Sequence, residues 1–351
     1  MPAPPLPHLP AGHPVTGWWW DVLGLAIVAF AVVDEGRTTL AVASGPGPLT
    51  QLITRAAWRL TRRPAVADAA LVRFVGGPGP ILVAATLGSW FTLLWIGWSL
   101  VFLGGDEAVV GSSSGAPASV WERFYFAGYN VATLGNGGYQ PAGAGFQLAT
   151  MAAALSGMLL ITLGVSYLTS VISAVVGKRS FAAQVTGFGS TGTEMATGLV
   201  TPGTTVPAVV SLSALSSTLT TLSQQHRAYP LLHAYRPRAA ELGTAPAVAV
   251  LLDAVLVLSS AADPAARVPP GLRRSVVSAV QQYVAHAPVA GGERAPAAPA
   301  LDPAEIGRAG LPADSVQLGV LTAEHAELRD ELSRRIGAAS YRWPGDDHSW
   351  S

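Results

Sequence analysis

The sequence predicts an all-α membrane protein, and three features of its 351 residues lead to that class. Half of the residues are hydrophobic and only 12% are charged, whereas a soluble globular chain carries roughly 25% charged residues. Two long runs contain no charged side chain, and the second half of the chain repeats its apolar residues at helical spacing. No run of alternating β-branched residues competes with that helical pattern.

Charge and composition exclude several function classes. The 21 basic residues balance the 21 acidic ones, so the chain lacks the basic footprint of a nucleic-acid-binding protein. It has no cysteine, which excludes disulfides, thiolate zinc sites and a cysteine nucleophile. No combination of nucleophile, base and acid stands out in the sequence, so we expect neither an enzyme nor a bound cofactor.

Three segments are candidates for crossing a bilayer, which needs about 20 apolar residues. Residues 81–103 contain no ionisable side chain, and residues 146–176 contain no charged one. A shorter candidate begins at a triple tryptophan, Trp18 to Trp20, that is typical of a membrane interface, and it ends at Val33. The alternative for this first segment is a cleaved signal peptide, but no basic start or small-residue cleavage site supports that reading.

The distribution of charges predicts the orientation of the chain. The connection between the first and second spans is rich in basic side chains, with one acid, Asp68, against Arg55, Arg59, Arg62, Arg63 and Arg73. Lys178 and Arg179 follow the third span directly. By the positive-inside rule both flanks are cytoplasmic, so the N-terminus and residues 104–145 face outward. The sequence therefore predicts a multi-pass protein of the plasma membrane with a cytoplasmic C-terminus.

The outward connection between the second and third spans has an unusual composition. An aromatic-rich segment, 119–132, has the length of a short helix, and Ser119 is placed to cap it. This helix leads directly into the run Thr133-Leu134-Gly135-Asn136-Gly137. A short helix followed by Thr-x-Gly-x-Gly between two uncharged spans resembles the pore loop of the tetrameric potassium-channel superfamily. The resemblance extends over about residues 81–177.

The resemblance implies a passive cation channel. Thr133 to Gly137 would form the filter, a stack of backbone oxygens that binds a dehydrated monovalent cation, and Gly138 with Tyr139 would form the outer mouth. Turning successive carbonyls toward one axis requires positive φ at some positions, which Gly135 and Gly137 tolerate. One loop supplies a quarter of a ring, so the family architecture implies a homotetramer in the lipid bilayer.

Two positions depart from the usual filter, Thr-Val-Gly-Tyr-Gly followed by Asp. Asn136 replaces the tyrosine that commonly braces the filter, and Gly138 replaces the acid. Asparagine is too short for that bracing, so we expect weaker discrimination between potassium and sodium. The alternative interpretation of 133–139 is an ordinary glycine-rich turn. A rival function of a different class is a non-conducting membrane scaffold or sensor that retains the pore architecture.

Two glycines of the third span, Gly157 and Gly164, are candidate gating hinges, because glycine weakens a helix locally. The alternative is that they allow neighbouring helices to pack closely. The sequence motifs do not separate these two roles.

The rest of the chain is assigned from composition and spacing. We predict an extracellular tail at 1–16, a first span with its cytoplasmic end at 17–43, and an interfacial amphipathic helix within 44–80. The pore module occupies 81–177, followed by a linker at 178–207, a cytoplasmic helical domain at 208–287, a second linker at 288–303 and a C-terminal helix and tail at 304–351. The run Gly187 to Gly192 matches a dinucleotide fingerprint but follows a membrane helix instead of a strand, so we interpret it as linker.

Overall fold

The computed structural model describes residues 17–40, 45–61, 78–135, 137–201, 204–235, 243–286, 298–339 and 341–345. The chain divides into two compact units. The first comprises Met1–Ala41, Pro46–Ile53 and Val83–Tyr167, and the second comprises Val42–Gly45, Thr54–Leu82 and Leu168–Ser351. The predicted all-α fold class is correct, because helices dominate the described residues.

The first unit contains the predicted pore module. Its elements, some of which continue into the second unit, are α1 (Trp18–Thr39), α2 (Pro48–Thr61), α3 (Pro78–Leu103), β1 (Val109–Gly111), α4 (Val120–Val131), β2 (Tyr139–Pro141) and α5 (Ala144–Phe188). The helices at 81–103, 119–132 and 146–176 are thus present with slightly different ends, and α5 continues 12 residues beyond its predicted end at Val176. The short antiparallel pair β1–β2 was not predicted, since three-residue strands leave no periodic signal.

Three tryptophans of α3 connect it to three different elements. The indole Nε1 of Trp90 donates a hydrogen bond to Asp34 of α1 at 2.9 Å, and that of Trp95 donates to the Phe124 carbonyl of α4 at 2.8 Å. Trp98 donates to the Ser156 hydroxyl of α5 at 3.0 Å. A buried indole N–H needs an acceptor, so each tryptophan fixes α3 against a separate neighbour. Helix α3 is therefore the central element of this unit.

Asp34 is fully buried and joins α1 to the start of α2. Its carboxylate accepts hydrogen bonds from the Leu49 N–H at 2.7 Å and the Thr50 hydroxyl at 3.0 Å, besides the Trp90 indole. The acid thereby satisfies a backbone donor in the first turn of α2, where a helix has no partners of its own. These contacts explain how an acid near the end of α1 is accommodated inside the unit.

Three of the described helices are long and apolar enough to cross a membrane: Pro78–Leu103, Ala144–Phe188 and Val206–Ala228. Helix α1, the predicted first span, is not among them, because Asp21, Asp34, Glu35 and Arg37 interrupt its 22 residues. Its close packing on α3, where Gly24 meets the Gly97 carbonyl, is typical of membrane helices. A membrane position for α1 stays a prediction.

The second unit is a helical bundle around one apolar core. Its elements beyond α5 are α6 (Gly192–Leu199), α7 (Val206–Ala228), α8 (Thr244–Ser259), α9 (Pro270–His286), α10 (Pro303–Arg308), α11 (Ser315–Glu324) and α12 (Ala326–Ala338), with short 3-10 turns at Pro230–Ala234 and Pro264–Ala266. Every residue of α8 is buried. This apolar helix is therefore the centre of the bundle, and α6, α9, α11 and α12 pack against it.

Helix α7 has the length of a span, and one of its faces lies in the bundle core. Its leucines at 3-4-3 spacing, Leu212, Leu215, Leu219 and Leu222, lie in the bundle core. The opposite face is exposed and carries Val206 and Val210 near the start of the helix, followed by the polar residues Ser213, Ser217, Thr221 and Gln224. A cytoplasmic position for α7 stays a prediction.

The predicted linker at 178–207 and the predicted C-terminal segment at 304–351 each differ in part from the structure. Within 178–207, residues up to Phe188 belong to α5, and α6 follows with Met195 and Leu199 in the core. Likewise 304–351 is no separate segment, because Leu321, Leu332 and Ile336 join the same core, on two helices that break at His325. Glycine and proline are common both in linkers and in tight corners between helices. Composition alone therefore suggested a linker where the chain forms such a corner. The 1–16 tail, most of the 288–303 linker and part of the 44–80 segment (62–77) lie outside the described residues.

A buried ion pair crosses the bundle. Arg329 of α12 binds Asp253 of α8 through two hydrogen bonds, at 2.8 and 3.2 Å, and also donates to the Pro299 carbonyl at 2.6 Å. Both side chains are 5% exposed, and the Trp343 ring lies 5.3 Å from the guanidinium carbon. Such a pair contributes little net stability, but either partner alone would leave an uncompensated buried charge.

The replacement Asp253→Asn should therefore lower the free energy of unfolding by about 3 kcal/mol, because Arg329 loses its counter-charge. Chemical unfolding of the detergent-solubilised chain measures this value. The control is the double variant Asp253→Leu with Arg329→Leu, which removes both charges and should be clearly more stable than the single variant. Equal stability of the single and double variants would contradict the prediction.

Gly157 lies where α5 crosses the end of α4. A Cβ atom at this position would come 1.8 Å from the Val131 carbonyl oxygen, whereas one at Gly164 would come 3.1 Å from a Leu87 methyl. Helix α5 runs unbroken through both glycines. The geometry favours the close-packing alternative at Gly157, and the hinge role of both residues stays a prediction.

The replacement Gly157→Ala should destabilise the chain by about 1–3 kcal/mol, because a backbone oxygen cannot move aside cheaply. Thermal unfolding in detergent measures the effect, and Gly88→Ala on α3 is the control, since no atom lies within 4 Å of a Cβ added there. If Gly157 acted only as a hinge, alanine would leave stability unchanged or raise it.

Candidate pore loop

The N-terminus of α4 is closed by a complete capping box. The Ser119 N–H donates to the Glu122 carboxylate at 2.6 Å, and the Glu122 N–H donates to the Ser119 hydroxyl at 3.4 Å. The cap expected at Ser119 is therefore present. It starts the helix at Val120, and the helix buries Phe126, Tyr129 and Val131 in the core of the unit while Trp121 and Tyr125 stay exposed.

Arg123 anchors α4 to the end of α3. Its guanidinium is buried and donates to the carbonyls of Ala118 at 2.9 Å, Phe102 at 3.3 Å and Gly105 at 2.7 Å, and to that of Asp106. Main-chain oxygens at a helix C-terminus lack partners and carry partial negative charge, so a cation is favourable there. The sequence analysis did not identify this residue. The signal was a single arginine in an otherwise aromatic segment.

The backbone turns sharply after α4. The Thr133 N–H donates to the Asn130 carbonyl at 3.0 Å, and the Leu134 N–H donates to the Tyr129 carbonyl at 2.9 Å. Thr133 has φ of 55°, and Gly135 has φ of 67°. The positive φ expected at Gly135 is present, and a second one occurs at Thr133. Because Leu134 between them is not left-handed, the conformation alternates along the loop.

The strain at Thr133 is notable, because a β-branched residue rarely adopts positive φ. Among the described residues it is the one non-glycine in that region. Such a conformation costs about 1–2 kcal/mol and is concentrated at functional sites. Gly137, by contrast, is not left-handed, because the chain there already turns into β2. Asn136 lies outside the described residues.

The loop is exposed on the single chain. Thr133, Gly135, Gly137 and Gly138 are all exposed, and Leu134 exposes 76% of its surface. The predicted filter residues that the structure describes therefore lie in one exposed loop. This loop directly follows the C-terminus of α4. That terminus carries the negative end of the helix dipole.

The predicted outer mouth is held in place by hydrogen bonds. The Gly138 carbonyl accepts from the Ser112 N–H at 3.1 Å, and Tyr139 pairs with Gly111 across β1 and β2. The Tyr139 hydroxyl donates to Glu122 at 2.7 Å. Hydrogen bonds from Ser119 and from Tyr139 hold the pKa of Glu122 below its usual value, while the bond to Glu122 raises the pKa of Tyr139. Tyr139 is therefore attached to the pore helix, and its side chain does not stand free at the mouth.

Carboxylate or imidazole metal centres do not occur in the part of the chain that the structure describes, where no three such side chains come together. His226 packs against Tyr283, and its Nδ1 contacts the Leu222 carbonyl at 2.9 Å.

Two comparisons with known proteins give a match for this chain. Residues 82–174 match the model of a family described as ion channel. The uncharacterized membrane protein YdjJ of Bacillus subtilis (strain 168) is 33% identical over 328 residues, which cover 92% of this chain and 94% of that protein. No solved structure matches the chain. The chain therefore belongs to the same membrane-protein family as YdjJ, and its residues 82–174 belong to the ion-channel superfamily.

Proposed function

We propose that the protein is a passive cation channel, in which backbone oxygens of residues 133–137 from four chains surround one permeation axis. The observation that carries the proposal is the exposed loop with alternating left-handed residues at Thr133 and Gly135. Such alternation turns successive carbonyls to the same side, where they can replace the hydration shell of an ion. The strain at Thr133 is then explained, because the loop conformation serves ion binding.

Assembly from four chains accounts for the exposed apolar surface of the pore module. The part of α5 in the first unit exposes a row of large apolar side chains: Leu148, Met151, Leu155, Met158, Leu159, Ile161 and Val165. So large an apolar surface requires lipid or neighbouring chains to cover it. Leu134, exposed beside the filter, would be covered by an adjacent copy in the ring.

The proposed location is the plasma membrane, with the outer mouth and the N-terminus outside and the helical bundle in the cytoplasm. The basic residues at Arg55, Lys178 and Arg179 support this orientation. In this arrangement α2, which follows α1 in the chain and contains Arg55, would lie along the anionic inner leaflet.

Ion preference is the second part of the proposal. The backbone ligands suit a monovalent cation, with potassium and sodium as the two candidates. Gly138 adds no charge to the mouth and Asn136 replaces an aromatic ring, so we propose a cation-conducting pore with weak discrimination between the two ions. The relative YdjJ is named only as a membrane protein, so its similarity does not distinguish a channel from a non-conducting protein. A non-conducting scaffold or sensor is therefore the alternative function.

The replacement Gly135→Ala should abolish single-channel current in planar bilayers, because alanine at φ of 67° is strained by about 1–2 kcal/mol and would leave this conformation. The control is Gly115→Ala, whose φ of 66° is nearly the same and which also has no atom within 4 Å of an added Cβ. Gly115 lies outside the loop, so the Gly115→Ala variant should still conduct current. A wild-type protein that assembles but conducts neither ion would instead support the scaffold.

The replacement Asn136→Tyr should raise the preference for potassium over sodium, because it restores the aromatic residue of the usual filter. Reversal potentials under potassium on one side and sodium on the other measure the permeability ratio. Asn136→Gln, which lengthens the amide without adding a ring, is the matched control. Identical reversal potentials for all three proteins would refute the role of position 136.

A further inference from the structure

Both ends of the candidate filter loop are attached to one residue of α4. The Tyr129 carbonyl accepts a hydrogen bond from the Leu134 N–H at 2.9 Å, where the loop begins. The Tyr129 hydroxyl donates to the Tyr139 carbonyl at 3.2 Å, where the loop has returned. Tyr129 is 5% exposed, so it lies beneath the loop in the core of the unit. Tyr129 thus contacts both ends of the loop, one through its main-chain carbonyl and the other through its side-chain hydroxyl.

A second attachment comes from the side chain of Tyr139. Its hydroxyl donates to one carboxylate oxygen of Glu122 at 2.7 Å, while the other oxygen accepts from the Ser119 N–H at 2.6 Å. Glu122 is fixed by the capping box, so it offers a rigid acceptor. A hydrogen bond to an ionised carboxylate is about twice as strong as one between neutral groups.

Aromatic packing and strand pairing complete the attachment. The Tyr139 ring meets the Tyr125 ring edge to face at 6.3 Å, and Tyr125 meets Tyr129 in the same way at 5.3 Å. The backbone of Tyr139 pairs with Gly111 in the two-stranded sheet. Tyr139 is thereby held by its ring, its hydroxyl and its main chain, and each contact lies outside the loop itself.

We propose that Tyr129 and the Glu122–Tyr139 pair are the positioning residues of the candidate filter, which set the spacing of its carbonyls and hence its ion preference. This inference rests on the proposed channel function. The loop between Leu134 and Tyr139 contains three glycines, whose conformational freedom must be removed if its oxygens are to hold a fixed geometry. Attachment of both ends to α4 supplies that restriction from outside the loop.

The test compares the full-length chain with Tyr139→Phe, Tyr129→Phe, Glu122→Gln and the double variant Glu122→Gln with Tyr139→Phe. Each Tyr→Phe change keeps the ring and removes one hydroxyl. Bi-ionic reversal potentials in planar bilayers report the potassium-to-sodium permeability ratio, and hydrogen–deuterium exchange of peptides over 133–142 reports the order of the loop.

Loss or weakening of one hydrogen bond should speed amide exchange in the loop and shift the permeability ratio by about threefold, with current still present. The double variant should match the stronger single variant, because both changes act on the same bond: phenylalanine removes its donor, and glutamine replaces the charged acceptor by a neutral one. Glu107→Gln is the control, since it removes an exposed acid from the same outward connection and leaves the Tyr139 bonds intact. Its exchange rates and permeability ratio should equal those of the wild type.

The two proposals fail in different ways. A silent wild-type protein would refute the channel function, and exchange would then decide the positioning role on its own. Exchange in Tyr139→Phe and Tyr129→Phe equal to that of Glu107→Gln would overturn the positioning role, whether or not current is present. In a conducting protein, a permeability ratio unchanged by all of the tyrosine and Glu122 variants would equally overturn it.

Discussion

The insertion of the Arg123 guanidinium among four main-chain carbonyls is the interaction on which the pore module depends. A buried cation must be paired or hydrogen-bonded, and the unsatisfied oxygens at the end of α3 meet that need. The same contacts determine where α4 starts relative to α3. Since the loop follows α4 directly, the contacts of Arg123 also help to determine where the described residues of the candidate filter lie.

The remaining neighbours of α3 are fixed by groups that require a specific partner. Trp90, Trp95 and Trp98 each donate to a different element, and Gly97 permits α1 to approach the backbone closely. Directional hydrogen bonds and small-residue contacts are the interactions that remain effective inside a membrane, where burial of apolar surface distinguishes little between protein and lipid. The packing of the unit therefore has the character expected of a membrane protein, and it gives the loop a rigid base.

The second unit is built on a different physical principle. Its apolar helix α8 is wholly buried by the helices around it, so burial of apolar side chains holds the bundle together. The ion pair of Asp253 and Arg329 joins helices that are 76 residues apart in the chain. Helix α5 contributes residues to both units and so links this bundle covalently to the pore module.

Composition and local pattern determined the fold class, the uncharged helices α3 and α5, the short aromatic helix with its Ser119 cap, and the place of the loop between them. These are local properties, because span length, helix periodicity and capping depend on neighbouring residues in the chain. The tertiary structure alone decided the role of Arg123, the strain at Thr133, the attachment of Tyr139 to Glu122 and the absorption of the predicted C-terminal segment into one core. The contacts of Arg123, Tyr139 and the C-terminal segment join groups that meet only when the helices pack, and the positive φ of Thr133 belongs to the turn that follows α4, so helix periodicity did not indicate them.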